Sequence, residues 1–209
     1  MNEEYYDETL IGQATSTAAD HTMFNYNRYV EYMRDVHEAK NHDYSPDEES
    51  FGNFKESEKI SIRDYVGAFI RLQDKLTRVR KLLSIPRDAH KVVDEKLEDT
   101  LVDLANYCLI VSTLIAAKNS DKTKDEIFKD LLLCMKTTPG KEFLEQHSKI
   151  ESMETVYELI CSDMNFSLRE GMPIEEQDLD YIINTQQKLQ ELAMLSIYMI
   201  CRKKEESQI

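Results

Sequence analysis

Glycine and proline are scarce in this chain, with 5 and 4 among its 209 residues. β-Sandwiches and β-barrels use many of these residues in their turns, so the scarcity argues against an all-β fold. Leucine, isoleucine, methionine, glutamate and lysine dominate long stretches instead, and these residues favour helices. Apolar residues make up 41% of the sequence, which is enough to build a core. The sequence therefore predicts an all-α protein.

Apolar residues that recur every three to four positions divide the chain into helical segments. Residues 1–21 are predicted to form a loose arm, residues 22–118 a helical core, and residues 119–209 further helices that pack on the core or form an oligomer interface. Residues 40–60 are predicted to be a loop, and Ser61 with Asp64 has the spacing of a capping box. The predicted helices span about 22–39, 61–84, 89–118, 122–136, 139–147, 150–164 and 175–204.

The net charge of −14 limits the kinds of partner. Binding to duplex DNA relies on cations that neutralise phosphates, so we expect no broad DNA-binding surface. The acidic N-terminus has no apolar signal core, and the most apolar late run, Leu189 to Cys201, is about half the length of a membrane span. We therefore expect a cytoplasmic protein with no membrane contact. No Walker loop, GxSxG, GxGxxG or HExxH motif occurs, which leaves several common enzyme classes unsupported.

The third predicted helix carries a stripe of acidic side chains. With Glu95 set at 0° and about 100° per residue, Asp99 falls near 40°, Asp103 near 80° and Asn106 near 20°. The following part of this helix is apolar on nearly every side, which indicates burial. The stripe is therefore expected to face an interior or a cleft.

Two interpretations of this stripe stay open. Crowded carboxylates repel one another and are costly to bury, and a magnesium ion, which prefers oxygen ligands, would offset both effects. Alternatively, the carboxylates form ion pairs with basic residues of the preceding helix, which are Arg71, Lys75, Arg78 and Arg80.

Asp74 lies in the middle of that preceding helix, close in sequence to Arg71 and Arg78. One interpretation is a local ladder of ion pairs, which is common and contributes little stability. The other makes Asp74 a further metal ligand whose basic neighbours bind phosphate, since arginine suits bidentate phosphate recognition.

Three segments together resemble a known family. They are Lys40-Asn-His-Asp-Tyr44 followed by Phe51-Gly-Asn-Phe54, then Asp74-Lys-Leu-Thr-Arg78, then Asp94-Glu95 followed by Glu98-Asp-Thr-Leu-Val-Asp-Leu-Ala-Asn-Tyr107. The order over about residues 30–117 resembles the nucleotide modification associated domain family, found largely in phages. That family is in turn similar to the all-α MazG-like nucleoside triphosphate pyrophosphohydrolases.

The resemblance implies a four-helix MazG-like core, followed here by an additional C-terminal helical segment, and a Mg²⁺-dependent nucleotide site. Glu95 and Asp99 match the catalytic acidic motif, and Asp74, Glu95, Asp99 and Asp103 are the implied metal ligands. One departure concerns the first acidic motif, where MazG-like proteins have two glutamates three residues apart and this chain has only Asp74. The residues expected to bind the nucleotide are Lys40, Asp43, Tyr44, Asn53, Phe54, Arg71, Lys75, Arg78, Asn106 and Tyr107.

The expected function is hydrolysis of a (deoxy)nucleoside triphosphate to monophosphate and pyrophosphate, in phage nucleotide metabolism or DNA modification. Tyr44, Phe51 or Phe54 would stack on the base. The alternative is a non-enzymatic acidic phage protein that sequesters a nucleotide or mimics DNA to inhibit a host factor. The resemblance also implies a homodimer located in the host cytoplasm, and the apolar last helix is a candidate interface.

Overall fold

The computed structural model describes residues 25–40, 51–84, 96–137 and 149–206. These described residues form seven α-helices joined by short 3₁₀ turns, with no strand, which confirms the prediction of an all-α fold. The helices are α1 (residues 25–40), α2 (Gly52–Lys55), α3 (Asp64–Ser84), α4 (Leu97–Ala116), α5 (Lys124–Thr137), α6 (Ile150–Glu170) and α7 (Leu179–Glu206).

Helix α4 is the centre of the fold. From Thr100 to Ile115 every side chain is buried except those of Asp103 and Tyr107, as its apolar sequence predicts. Helices α3, α5 and α7 all pack against it. Leu97–Asn119 is long and apolar enough to cross a membrane, but 78% of its most apolar window is buried inside the protein, as in the central helix of many soluble domains.

The start of α3 differs from the predicted capping box. Ser61 has a left-handed backbone with φ 60° and ends the 3₁₀ helix Glu56–Ile60, so its side chain does not cap α3. The helix begins at Asp64 instead, whose buried carboxylate accepts a hydrogen bond from the backbone N–H of Tyr65 at 2.9 Å. Lys118, beyond the end of α4, pairs with the same carboxylate at 3.1 Å. A contact distant in sequence therefore helps to place this helix start.

The start of α4 also corrects the sequence prediction. Lys96 has an extended backbone (φ −83°, ψ 142°), and the helix begins at Leu97, eight residues after the predicted start. Glu98 and Asp99 occupy its first turn, where exposed N–H groups and the helix dipole favour acidic side chains. Glu95 lies outside the described residues, so the part of the predicted stripe that precedes Lys96 stays a prediction.

Residues 52–60 are helical, although a loop was predicted. The Ser57 hydroxyl donates a hydrogen bond to the carbonyl of Phe54 at 2.7 Å and so stabilises this compact segment. The segment lies so close to α3 that a Cβ added at Gly67 would be 3.0 Å from the Ser57 hydroxyl oxygen. Glycine at this position therefore permits a tight contact that a sequence pattern does not reveal.

The C-terminal helices share the hydrophobic core with the N-terminal ones. Helix α7 packs against α4 and α6, and one cluster of buried residues includes members of both. Helix α6 runs to Glu170, further than the predicted 164, and α7 begins at Leu179 because Ile174–Glu176 forms a 3₁₀ turn. The predicted helix at 139–147 and the predicted arm at 1–21 lie outside the described residues.

Candidate functional site

A cleft of about 1050 Å³ lies between α1, the segment 51–62, α3 and α4. Asp43, Tyr44 and Glu95 lie outside the described residues. Of the predicted site residues that the structure describes, Asp99 does not line this cleft. The ten that do line it are Lys40, Asn53, Phe54, Arg71, Asp74, Lys75, Arg78, Asp103, Asn106 and Tyr107.

Among the described residues that line the cleft, cationic side chains outnumber acidic ones, although the chain carries a net charge of −14. Four cationic side chains line it, contributed by α1 and α3, against three acidic ones, Glu56, Asp74 and Asp103. Glu56 pairs with Lys59 at 2.7 Å, which neutralises part of the acidic side. An excess of one charge inside low-dielectric walls concentrates the electric field there.

Asp103 lies between two lysines that come from different helices. Its Oδ1 accepts from Lys40 Nζ at 2.5 Å and its Oδ2 from Lys75 Nζ at 2.8 Å. Burial raises the pKa of Asp103, but hydrogen bonds and charges from Lys40 and Lys75 outweigh burial and hold the pKa below its ordinary value of 3.8. For Asp103, the structure shows the ion-pair alternative, with lysines as partners.

Asp74 and Arg71 are exposed on the cleft side of α3. Neither forms a hydrogen bond or ion pair with another residue that the structure describes. The predicted local ladder between Asp74 and its arginine neighbours is therefore not seen among these residues. Both groups are available to a ligand in the cleft.

Asp99 is exposed in the first turn of α4 and does not line the cleft. Its neighbour Glu98 is engaged elsewhere, because its Oε1 accepts from Tyr29 at 2.8 Å and from Lys204 at 3.0 Å. Within the described ranges, no three His, Cys, Asp or Glu side chains lie close enough to hold a metal ion. The predicted metal ligands Asp74, Asp99 and Asp103 thus do not converge, and Glu95 lies outside the described residues.

Aromatic and amide groups form the other wall of the cleft. The rings of Phe54 and Tyr107 meet edge to face, with centroids 6.3 Å apart. Asn106 is 5% exposed and donates from Nδ2 to the carbonyl of Met33 at 3.2 Å, whereas its Oδ1 has no hydrogen-bond partner. Phe51 is buried against the ring of His37, so it supports this wall from behind.

Sequence reasoning missed several residues that line the cleft, among them His37, Ile70 and Ile110. Each lies three or four positions from a residue that was predicted, as His37 does from Lys40. Neighbours at that spacing share a helix face, so helical periodicity around the predicted residues would have found them.

The described residues thus form an all-helical fold with a cleft that is lined by basic side chains on α1 and α3 and by the aromatic rings of Phe54 and Tyr107. Residues 40–116 match the family model of nucleotide modification associated domain 1. This match confirms, over that part of the chain, the resemblance predicted from the motifs, and the matched part includes every element of the cleft except most of α1. Neither a curated protein nor a solved structure matches the chain. The resemblance to MazG-like enzymes remains a prediction.

Proposed function

We propose that the cleft binds a nucleotide, with its phosphates on the basic face of α3 and its base on the aromatic wall. The observation that carries the proposal is that cations outnumber acids among the described residues of the cleft, in a chain with a net charge of −14. It is supported by the family match over residues 40–116. The opposite polarity of the cleft and the whole chain favours a local anionic ligand over DNA mimicry.

The phosphate side is supported by the spacing of three cations on α3. Arg71, Lys75 and Arg78 line the cleft at positions i, i+4 and i+7, which lie along one helix face over about 10 Å. Arginine donates in a planar fork that matches phosphate oxygens. Arg71 has no partner among the described residues, so it can bind phosphate without first breaking an ion pair seen here.

The base side is supported by the exposed parts of Phe54 and Tyr107. Stacking on an aromatic side chain contributes about 1–3 kcal/mol per base and tolerates any base. The buried amide of Asn106 donates to the carbonyl of Met33 and so holds α1 against α4 beside this wall.

A magnesium ion fits this cleft only as part of a nucleotide complex. Magnesium commonly binds one or two carboxylates together with substrate phosphates. Among the described acidic residues of the cleft, Asp74 alone has no ion-pair partner, so Asp74 is the residue that would hold the ion. Such an ion supplies charge stabilisation at phosphoryl oxygen and lowers the pKa of a bound water.

The reaction we propose is hydrolysis of a nucleoside triphosphate to monophosphate and pyrophosphate. Arg71 would stabilise negative charge that develops on the phosphates, and Asp74 would orient the attacking water or accept its proton. Binding without hydrolysis is the alternative, because this chain lacks the paired glutamates of the first MazG-like motif. The homodimer and the cytoplasmic location also remain predictions, and light scattering of the purified protein tests the first.

Calorimetric titration with a panel of (deoxy)nucleoside triphosphates tests nucleotide binding. We expect Arg71→Gln to weaken binding by about tenfold or more, since hydrogen bonds to charged groups contribute about 1.5–3 kcal/mol. Arg169→Gln is the matched control, because Arg169 is exposed on α6 outside the cleft. No binding of any nucleotide by the unaltered protein, or equal losses in both variants, would contradict the proposal.

Pyrophosphate release in the presence of magnesium tests hydrolysis separately. We expect Asp74→Asn to abolish release while the nucleotide still binds, because the amide keeps the shape but loses the charge. Asp99→Asn distinguishes a catalytic centre inside the cleft from one that includes Asp99, which the sequence predicts. Binding without release by the unaltered protein would establish the non-hydrolysing alternative.

A further inference from the structure

Lys40 and Lys75 both bind an anion that belongs to the protein itself, the carboxylate of Asp103. Lys40 and Lys75 come from α1 and α3, and each donates to a different oxygen of the same carboxylate on α4. We infer that the carboxylate of Asp103 occupies the position of a ligand phosphate. When a nucleotide binds, its phosphate accepts hydrogen bonds from both ammonium groups and displaces the carboxylate. This inference rests on the proposed function, since it assigns a role within the same cleft.

The chemistry of the two groups makes such an exchange reasonable. A carboxylate and a phosphate both accept short hydrogen bonds from ammonium groups, and the phosphate carries more charge and more acceptor oxygens. Without an anion between them, two ammonium groups this close to one carboxylate would repel each other. In the absence of a ligand, the carboxylate of Asp103 offsets this repulsion.

The location of the three groups permits the exchange. All three line the cleft, and the side chains of Lys40 and Lys75 are 51% and 27% exposed, so a ligand reaches both ammonium groups from solvent. Partly exposed ion pairs contribute little to stability, so replacing one costs little. Arg71 and Arg78 line the same cleft, which places the exchanged phosphate within a larger cationic surface.

A carboxylate that competes with the ligand and a carboxylate that binds magnesium predict opposite effects of Asp103→Asn on the affinity for the ligand. If Asp103 held magnesium beside the nucleotide, Asp103→Asn would weaken binding. If Asp103 competes with the ligand, Asp103→Asn releases both lysines while preserving shape, and binding of an anion without metal becomes tighter. The effect should be about two- to fivefold, the amount expected for removing a competing ion pair of this exposure.

The experiment is calorimetric titration of pyrophosphate, and of a nucleoside triphosphate, with EDTA present. Three proteins are compared, the unaltered chain, Asp103→Asn and Asp163→Asn. Asp163 is the matched control, because it pairs with Lys188 at 2.7 Å with similar burial but lies outside the cleft. We expect tighter binding of both ligands only in Asp103→Asn, and loss of that gain when Lys75→Met is added.

The outcomes separate this inference from the proposed function. If the unaltered chain binds nucleotide and Asp103→Asn binds no more tightly, the inference is wrong and the proposed function stands. If Asp103→Asn gains affinity for pyrophosphate but no protein binds nucleotide, the proposed function is wrong and the competition stands. Should no protein bind either anion, both are wrong. If Asp103→Asn fails to fold by circular dichroism, Lys40→Met provides the second test, and unchanged pyrophosphate affinity there overturns the inference.

Discussion

At the scale of single residues, His37 shows how burial changes the behaviour of a side chain that lines the cleft. Its imidazole stacks on Phe128 with centroids 3.9 Å apart and also contacts Phe51. Burial lowers the pKa of His37 from 6.5 to about 4, although the charge of Asp125 opposes this shift. The ring is therefore neutral at pH 7 and serves as an aromatic support.

The lowered pKa predicts how stability depends on pH. Between pH 6.5 and about 4 the unfolded chain protonates His37 while the folded protein does not, so stability falls as pH falls through this window. The shift corresponds to about 3 kcal/mol at most. We expect His37→Phe, which retains an aromatic ring, to be less sensitive to acid in this window than the unaltered protein.

Urea unfolding at pH 7.5, 5.5 and 4.5 provides the measurement. Carboxyl groups also titrate near the lower end, so the relevant quantity is the difference between the two proteins at each pH. Parallel loss of stability in both would show that the imidazole does not contribute.

At the scale of secondary structure elements, the helix ends depend on particular backbone positions and contacts. Glu98 at the start of α4 accepts from Tyr29 of α1 and Lys204 of α7, so one carboxylate connects three helices. Glu98 lies in the first turn of α4 and Lys204 in the last turn of α7, where the helix dipole favours a negative and a positive charge respectively. Helix α6 ends at Gly171, whose φ of 66° lies in the left-handed region.

Gly171 allows a direct test of this helix end. No atom lies within 4 Å of a Cβ added there, so substitution changes only the backbone preference. We expect Gly171→Ala to lower the free energy of unfolding by about 1 kcal/mol, and Gly171→Asn to cost less, since asparagine tolerates the left-handed region better. Chemical denaturation of both variants measures this, and equal costs would argue against the backbone explanation.

At the scale of the whole molecule, residues 40–116, which match the family model, do not contain a complete hydrophobic core. Helix α4 buries a large part of its surface against α7, which lies beyond the segment 40–116. Leu189, Leu192 and Leu195 of α7 are fully buried in the same cluster as α4. The segment that carries the cleft therefore depends on the C-terminal helices for burial of its central helix.

We accordingly expect a fragment of residues 1–121 to lack cooperative folding, because it exposes the face of α4 that α7 covers. Circular dichroism during urea unfolding measures this, with the full chain as the control. A sharp unfolding transition of the fragment would show instead that the N-terminal helices form an independent domain.

Several features could be predicted from the sequence because they depend on local chemistry. The end of α3 at Ser84 and the burial of α4 follow from apolar spacing, which any helical segment displays without knowledge of its neighbours. The motif residues that line the cleft were predicted because the resemblance groups them. The start of α4 was not predicted, since Asp99 was interpreted as part of a stripe within a longer helix and not as part of a first turn.

The sequence by itself determined the helical class of this protein, the segment 40–116 that matches the family model, and most of the residues that meet in the cleft. Only the tertiary structure decided what each charged group contacts. Asp103 binds lysines that are 63 and 28 residues away, while Asp74 in the same cleft pairs with no other described residue. The physical reason is that periodicity along one helix places a side chain on a face, whereas the partner of a charge depends on which helix packs against that face.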